Sequence, residues 1–167
     1  MSKALIIIDM WDMYYPGIDR YDRLIEQLSL KLKKLMEQID MPIVISSYTT
    51  PNYELPWTAV NHTITKGLEN HTGDSLVSWY ENDVIDFLNL HNITDLFFAG
   101  VSFPGCVQSR PLGIDAMKEN FNCTIVADCV INLLGNEYTE HDIIHNTYTE
   151  IISSDYQYIC SKDLENK

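Results

Sequence analysis

Basic residues are scarce in this sequence. Lys and Arg number 11 against 24 Asp and Glu, a formal net charge of -13 over 167 residues. With no basic stripe to neutralise phosphates, nucleic acid is not an expected partner. Cysteine is sparse as well. Cys106, Cys123, Cys129 and Cys160 form no CxxC pair and no dense disulfide framework, the pattern of reduced thiols in an intracellular protein. Long apolar runs are missing too. The opening MSKALIIIDMWD holds one short run broken by an acid, neither a signal h-region nor long enough to cross a bilayer. A cytoplasmic protein without membrane contact is expected, so the Asn-x-Thr triplets at Asn61, Asn70, Asn92 and Asn122 carry no weight as glycosylation sites.

Repeats, linkers and low-complexity tracts are absent, and 46% hydrophobic content over this length suits one domain spanning 1–167 with its own core. What is present is alternation. Residues 4–9 (ALIIID) form a continuous apolar run, as in a strand buried on both faces. Asp19 is placed to cap a helix in which Leu24, Ile25, Leu28, Leu32, Leu35, Met36 and Ile39 recur at helical spacing.

Further strands are expected at 42–46 (PIVIS), 62–66 (HTITK), 95–101 (DLFFAGV), 123–127 (CTIVA) and 156–160. Helices are expected from Asp74 through Leu88, at about 108–119 and at 139–152. The pattern predicts an α/β fold, a three-layer α/β/α sandwich with a largely parallel sheet of about six strands. Arg110-Pro111 sits poorly inside a helix, because proline is tolerated only near a helix start. Cys106 could then occupy a separate turn, with the regular helix beginning later.

In such sheets ligands gather at the carboxyl ends of the strands. That rule singles out Asp9, Lys66 and Cys106, each at or just beyond the end of an expected strand. A cysteine at a helix N-terminus meets the positive end of the dipole, which favours thiolate, and a nearby Lys favours it further. An Asp beside them can take the thiol proton and pass it to a leaving amine. Backbone N–H groups around Ser102 and Cys106 can stabilise an oxyanion. Each residue alone also has a plain reading: free cysteines fill cores, strand-end Asp residues cap, and lone Lys residues are solvated.

Three segments together resemble the isochorismatase-like cysteine hydrolases. LIIIDMWDMYYP (5–16) resembles the family's opening strand, TITKGLENHTGDSLVSW its lysine segment, and FFAGVSFPGCVQSRPLGIDAM its nucleophile segment. The resemblance implies a catalytic triad: Asp9 as general base and acid, Lys66 as the stabilising cation and Cys106 as the nucleophile. It also implies a non-proline cis peptide, here Val101–Ser102.

The metal ligands of the nicotinamidase branch have no counterpart in SSYTTPNYELPW, so neither a metal nor another cofactor is expected. Trp11 replaces the family's usual glutamine, and Phe103-Pro104-Gly105 precedes the cysteine where small or polar residues are usual. The implied reaction is hydrolysis of a C–N bond (amide, ureido or carbamoyl) in a small molecule through a thioester. The alternatives are a vinyl-ether hydrolase of isochorismatase type and a non-catalytic binding protein retaining the fold. A homo-oligomer, dimer or tetramer, is also implied.

Trp11, Tyr14, Trp57 and Phe103 are candidates to line an aromatic pocket, with Trp11 and Phe103 placed closest to substrate. His62 and His71 flank Lys66. His141 and His145 share the i, i+4 spacing of zinc ligands without a third ligand, and read as helix surface behind Thr139 as N-cap. The other three cysteines read as core.

Overall fold

The computed structural model describes residues 2–11, 19–46, 60–133, 135 and 137–164. Six parallel strands form one sheet: β1 (Ser2–Ile8), β2 (Ile43–Ser46), β3 (Ser75–Val77), β4 (Ile93–Val101), β5 (Asn122–Ile131) and β6 (Gln157–Ile159), in the spatial order β3-β2-β1-β4-β5-β6. The helices are α1 (Asp19–Gln38), α2 (His62–Asn70), α3 (Glu81–Leu90), α4 (Gly105–Ser109), α5 (Ile114–Met117), α6 (Glu140–Ser153) and α7 (Ser161–Leu164).

The period of two in a strand divides β1 between two cores. Leu5 and Ile7 pack with the α1 residues Leu24, Leu28 and Leu32 and with Ile64 of α2, whereas Ala4, Ile6 and Ile8 pack with Val84 and Leu88 of α3, Val107 of α4 and Ile114 of α5. Every side chain from Ala4 to Ile8 is fully covered. Two cores on opposite faces of one sheet are the three layers that the apolar run ALIIID predicts.

Two expected elements are corrected. Residues 62–66 are helical, and the third strand lies further on, at Ser75–Val77, inside the stretch expected to open a helix. The Thr and Ile of HTITK resemble strand composition, but Asn61 decides the matter. Its Oδ1 accepts the N–H groups of Thr63 (2.9 Å) and Ile64 (3.4 Å), which starts α2. Gly67 then lets α2 sit against α1, since a Cβ there would stand 3.1 Å from Lys33 Cα. The helix expected over 108–119 is divided into α4 and α5, with Arg110 and Pro111 in the break, so Cys106 does occupy its own short turn.

β1 and β4 lie side by side at the centre of the sheet, with Ile8 opposite Gly100. Gly100 has φ +113°, and a Cβ there would fall 2.1 Å from the Ile8 carbonyl oxygen. Only glycine permits this approach. The Val101–Ser102 peptide that follows is cis, as the family resemblance implies, and Phe103–Pro104 is cis as well.

Candidate active site

Asp9 is delivered by the end of β1, where its backbone N–H donates to Ser46 O (2.8 Å) and its φ of 48° turns the chain out of the strand. Its carboxylate is buried. Cys106 is the second residue of α4, a turn fastened by the Val107 N–H to Ser102 O bond (3.0 Å). The Asp9 carboxyl and the Cys106 thiol are hydrogen-bonded, and the Ser102 backbone N–H is directed at the same sulfur.

The cation in this site is Arg110. Its backbone N–H donates to Cys106 O (3.2 Å), which places its side chain one turn further on the same face as the thiol. Nε and Nη2 each lie 3.0 Å from Asp9 Oδ2, and the guanidinium also hydrogen-bonds the Cys106 sulfur. Burial opposes the charge of Arg110, but Asp9 and Cys106 outweigh it and raise its pKa above the ordinary value. Asp9, Cys106 and Arg110 thus form one mutually bonded set, with Asp9 buried and the other two partly exposed.

The expected depression of the Cys106 pKa is reversed. Burial pushes the thiol up, the charge and hydrogen bond of Asp9 push it further, and Arg110 and the Ser102 N–H only partly offset them. A helix of five residues supplies little dipole against a neighbouring carboxylate. The resting pair is therefore a neutral thiol against a carboxylate, with the proton acceptor already in contact.

Lys66 is exposed on α2, and among the described residues no carboxylate or thiol pairs with its ammonium. Lys66 is thus carried by a helix and not by a strand end as expected, because the segment 62–66 belongs to α2. The observed third strand ends at Val77 and is followed by Ser78 and Trp79, neither of them cationic. Arg110 went unassigned in the sequence, although its i+4 spacing from Cys106 is the readable signal.

Phe103 is only 1% exposed and lies in the core beneath the nucleophile turn, edge-on to Tyr156 with ring centroids 6.2 Å apart. It supports that turn, and it also borders a cavity of about 310 Å³ together with Pro104, Gln108 and Tyr156. Trp11 is half-buried beside the end of β1. It bridges to Val60, its carbonyl accepts the Asn61 side-chain amide (3.4 Å), and its ring packs on the α1-side core. Tyr14 and Trp57 lie outside the described residues.

His62 is exposed at the start of α2, and His71 ends that helix with Nδ1 2.9 Å from Met36 O. His141 and His145 stack on the exposed face of α6, 6.3 Å between ring centroids, and Asp142 is used in a capping box with Thr139. Among the described residues no three His, Cys, Asp or Glu side chains converge as a metal site.

The turn that carries the cis peptide is held from α6. The Ser102 hydroxyl donates to Asn132 Oδ1 (2.9 Å) and accepts from the Leu133 N–H (3.0 Å). Asn132 Nδ2 donates to Asn146 Oδ1 (2.9 Å), and its backbone N–H donates to Thr147 Oγ1 (2.9 Å). The orientation of the Ser102 amide is thus fixed by a chain of side-chain bonds reaching the helix layer.

Comparison with known proteins agrees with this fold. The MAR1 ribonuclease from Caenorhabditis elegans superposes with a TM-score of 0.66 at 15% identity, covering 98% of this chain and 79% of that one. A protein of the isochorismatase family superposes at 0.64 and 14% identity over 94% and 97%. The yeast nicotinamidase Pnc1p, bound to nicotinaldehyde, superposes at 0.58 and 14% identity over 95% and 99%. Among curated proteins none matches the sequence. At these identities the likenesses establish the fold alone. The family model of the isochorismatase domain, however, matches residues 3–143, most of the chain and all of the site, so the protein belongs to the isochorismatase family.

Proposed function

We propose that the protein is a cysteine hydrolase that cleaves a C–N bond of a small amide, ureido or carbamoyl compound. The observation that carries this reading is the bonded set Asp9, Cys106 and Arg110 at the ends of the two central strands. Asp9 removes the Cys106 proton as sulfur attacks the carbonyl carbon. The oxygen that becomes anionic is met by the Ser102 and Cys106 N–H groups, which are held by the turn before the reaction begins. Asp9 then returns the proton to the leaving nitrogen as the C–N bond breaks. Water, deprotonated by Asp9, cleaves the thioester and restores the thiol. Arg110 holds Asp9 in position between turnovers and offsets the negative charge on sulfur during attack.

A vinyl-ether hydrolase would need an acid but no thiol, and a binding protein would need neither. A thiol bonded to a buried carboxylate favours the nucleophilic reading over both. Hydrolysis of RNA, the activity named for one structural neighbour, is not carried over, because a net charge of -13 repels polyphosphate.

The test is a panel of small amides, ureas and carbamates assayed for ammonia or amine release with the wild type, Cys106→Ser and Asp9→Asn. Turnover lost in both variants, with an acyl adduct on Cys106 trapped by mass spectrometry, supports the proposal. Turnover that survives Cys106→Ser sinks it.

A further inference from the structure

The cavity of about 310 Å³ bordered by Phe103 has no part in the hydrolysis proposed above, for none of Asp9, Cys106 and Arg110 lines it. Its volume is enough for one small molecule, since ligand sites begin at about 300 Å³. Two segments build it. The nucleophile turn and the helices after it supply Phe103, Gln108 and Lys118, and the end of α6 with the residues that follow supplies Glu150, Asp155 and Tyr156. In a chain whose acids far outnumber its bases, this lining combines aromatic rings with fixed charges of both signs, the mixture expected of a site that orients a polar ligand.

The basic wall is built in advance. Asp115 accepts hydrogen bonds from Lys118 Nζ (2.6 Å), Gln108 Nε2 (3.0 Å) and the Tyr156 hydroxyl (2.6 Å), so one carboxylate ties these lining residues together. The same bonds hold the Asp115 carboxyl down to about 2, which keeps the tie charged at neutral pH. Lys118 Nζ also stands 5.5 Å from the centre of the Tyr156 ring. An ammonium and a carboxamide nitrogen each carry more hydrogens than these bonds use, so Lys118 and Gln108 both keep a donor for a ligand. The acidic wall is not compensated. Among the described residues no Lys, Arg or His pairs with Glu150 or Asp155, although both border the same cavity as the tethered Lys118.

We propose that this cavity binds a small zwitterion, a free α-amino acid or a compound with the same paired ammonium and carboxylate. The ligand carboxylate takes the spare donors of Lys118 and Gln108. Its ammonium meets Glu150 and Asp155, and its carbon frame covers the rings of Phe103 and Tyr156. A simple anion is repelled by the uncompensated acids and a plain amine confronts Lys118, so a molecule bearing both charges is preferred over either half. The position gives binding a consequence. Phe103 and Gln108 lie on either side of Cys106 in the nucleophile segment, so a ligand here touches that turn from outside the reacting centre.

Isothermal titration calorimetry of the full-length protein with the common L-amino acids, at millimolar concentrations, reads binding directly. Each amino acid that binds is compared with its decarboxylated amine and its deaminated acid. The expected result is one molecule per chain for at least one amino acid, with both comparators weaker by about tenfold or more, the worth of one charge-assisted contact. Lys118→Gln and Glu150→Gln should each weaken binding by a similar factor with the circular dichroism unchanged, whereas Lys34→Gln, at an exposed lysine outside the cavity, should leave it as it is. The Gln108 side-chain amide signals should shift in nuclear magnetic resonance spectra as the amino acid is added. Failure of every amino acid to bind overturns the proposal. So does binding matched by the amine or the acid alone, binding indifferent to Lys118→Gln, or Gln108 signals that stay in place. None of these readouts depends on the hydrolase assignment.

Discussion

Arg110 holds a single oxygen of Asp9 with two nitrogens, Nε and Nη2, each at 3.0 Å. Asp9 Oδ2 is thereby anchored, and the carboxyl is oriented toward the thiol one turn back along α4. The cation of the site comes from the same short segment as the nucleophile. Replacement of the two candidate cations should therefore give opposite outcomes. Arg110→Ala is expected to lower kcat on any substrate found by about 10²-fold or more, the usual cost of removing one preorganised charge. Lys66→Ala, at an exposed site, should change it by less than about twofold. Steady-state kinetics of the two variants on one substrate decides between them.

The pH dependence of Cys106 alkylation follows from the same geometry. The ordinary thiol value is 9.0, and burial together with Asp9 raises it. Iodoacetamide labelling of Cys106, followed by peptide mass, should show an apparent pKa above 9 in the wild type. Asp9→Asn removes the repelling charge and should move labelling to lower pH while abolishing turnover, and Arg110→Ala should move it higher. Greater thiol reactivity with less catalysis separates the base from the electrostatic field it creates. A wild-type value well below 9 would contradict the arrangement.

Alkaline stability should fall through a defined window. Burial pushes Cys129 up to about 12, against 9.0 for an ordinary thiol. The folded state then resists an ionisation that the unfolded chain undergoes freely. By the linkage relation its contribution to stability is whole below pH 9 and is lost as pH rises toward 12. Chemical denaturation midpoints measured between pH 8 and pH 11 should drop more steeply for the wild type than for Cys129→Ala, after allowance for the cavity left at neutral pH.

Asn132 touches neither sulfur nor Asp9 in any bond described above, yet Asn132→Ala should slow turnover by about tenfold. Removing its amide leaves the Ser102 hydroxyl without its acceptor and releases the turn from α6, an effect of about 1–3 kcal/mol per buried polar group left unsatisfied. Because a donor to the transition state is misplaced while the remaining contacts to bound substrate stay, the loss is expected in kcat with KM little changed.

Gly100→Ala tests the junction of the central strands. A methyl group 2.1 Å from Ile8 O and 2.7 Å from Ile8 N has no room, and both obstacles are backbone. The variant should lose about 3 kcal/mol or more, read as a fall in the thermal midpoint or as failure to accumulate soluble protein.

The sheet was legible where burial imposes a simple pattern. The run ALIIID can only be a strand covered on both faces, and the heptad-like recurrence from Leu24 to Ile39 can only be a helix with one apolar stripe. Short segments were harder. HTITK has strand-like composition, and one hydrogen-bonding side chain, Asn61, outweighs it by satisfying two amides at once. SLV has too few residues for periodicity to distinguish strand from helix. At the site, Asp9 and Cys106 were visible as ends of strong strands. The cation was not, because Lys66 depended on the misread segment and because Arg110 lies beside a proline that disguises its relation to Cys106. The Cys106 pKa was misjudged for a physical reason as well: the influence of a helix terminus can be read from sequence, but the proximity of a carboxylate from a distant strand cannot.

The placement of nucleophile and cation four residues apart, one in α4 and the other capping its end, also bears on inheritance. Gly105 to Arg110 is a stretch of six codons, GCVQSR, and it specifies both groups together with the backbone bond that sets their spacing. Recombination between distant segments of the gene cannot separate them, and an insertion elsewhere in the chain cannot alter their relative position. Only the partnership with Asp9 has to be preserved across the fold, so the reactive centre is exposed to drift at one junction instead of two.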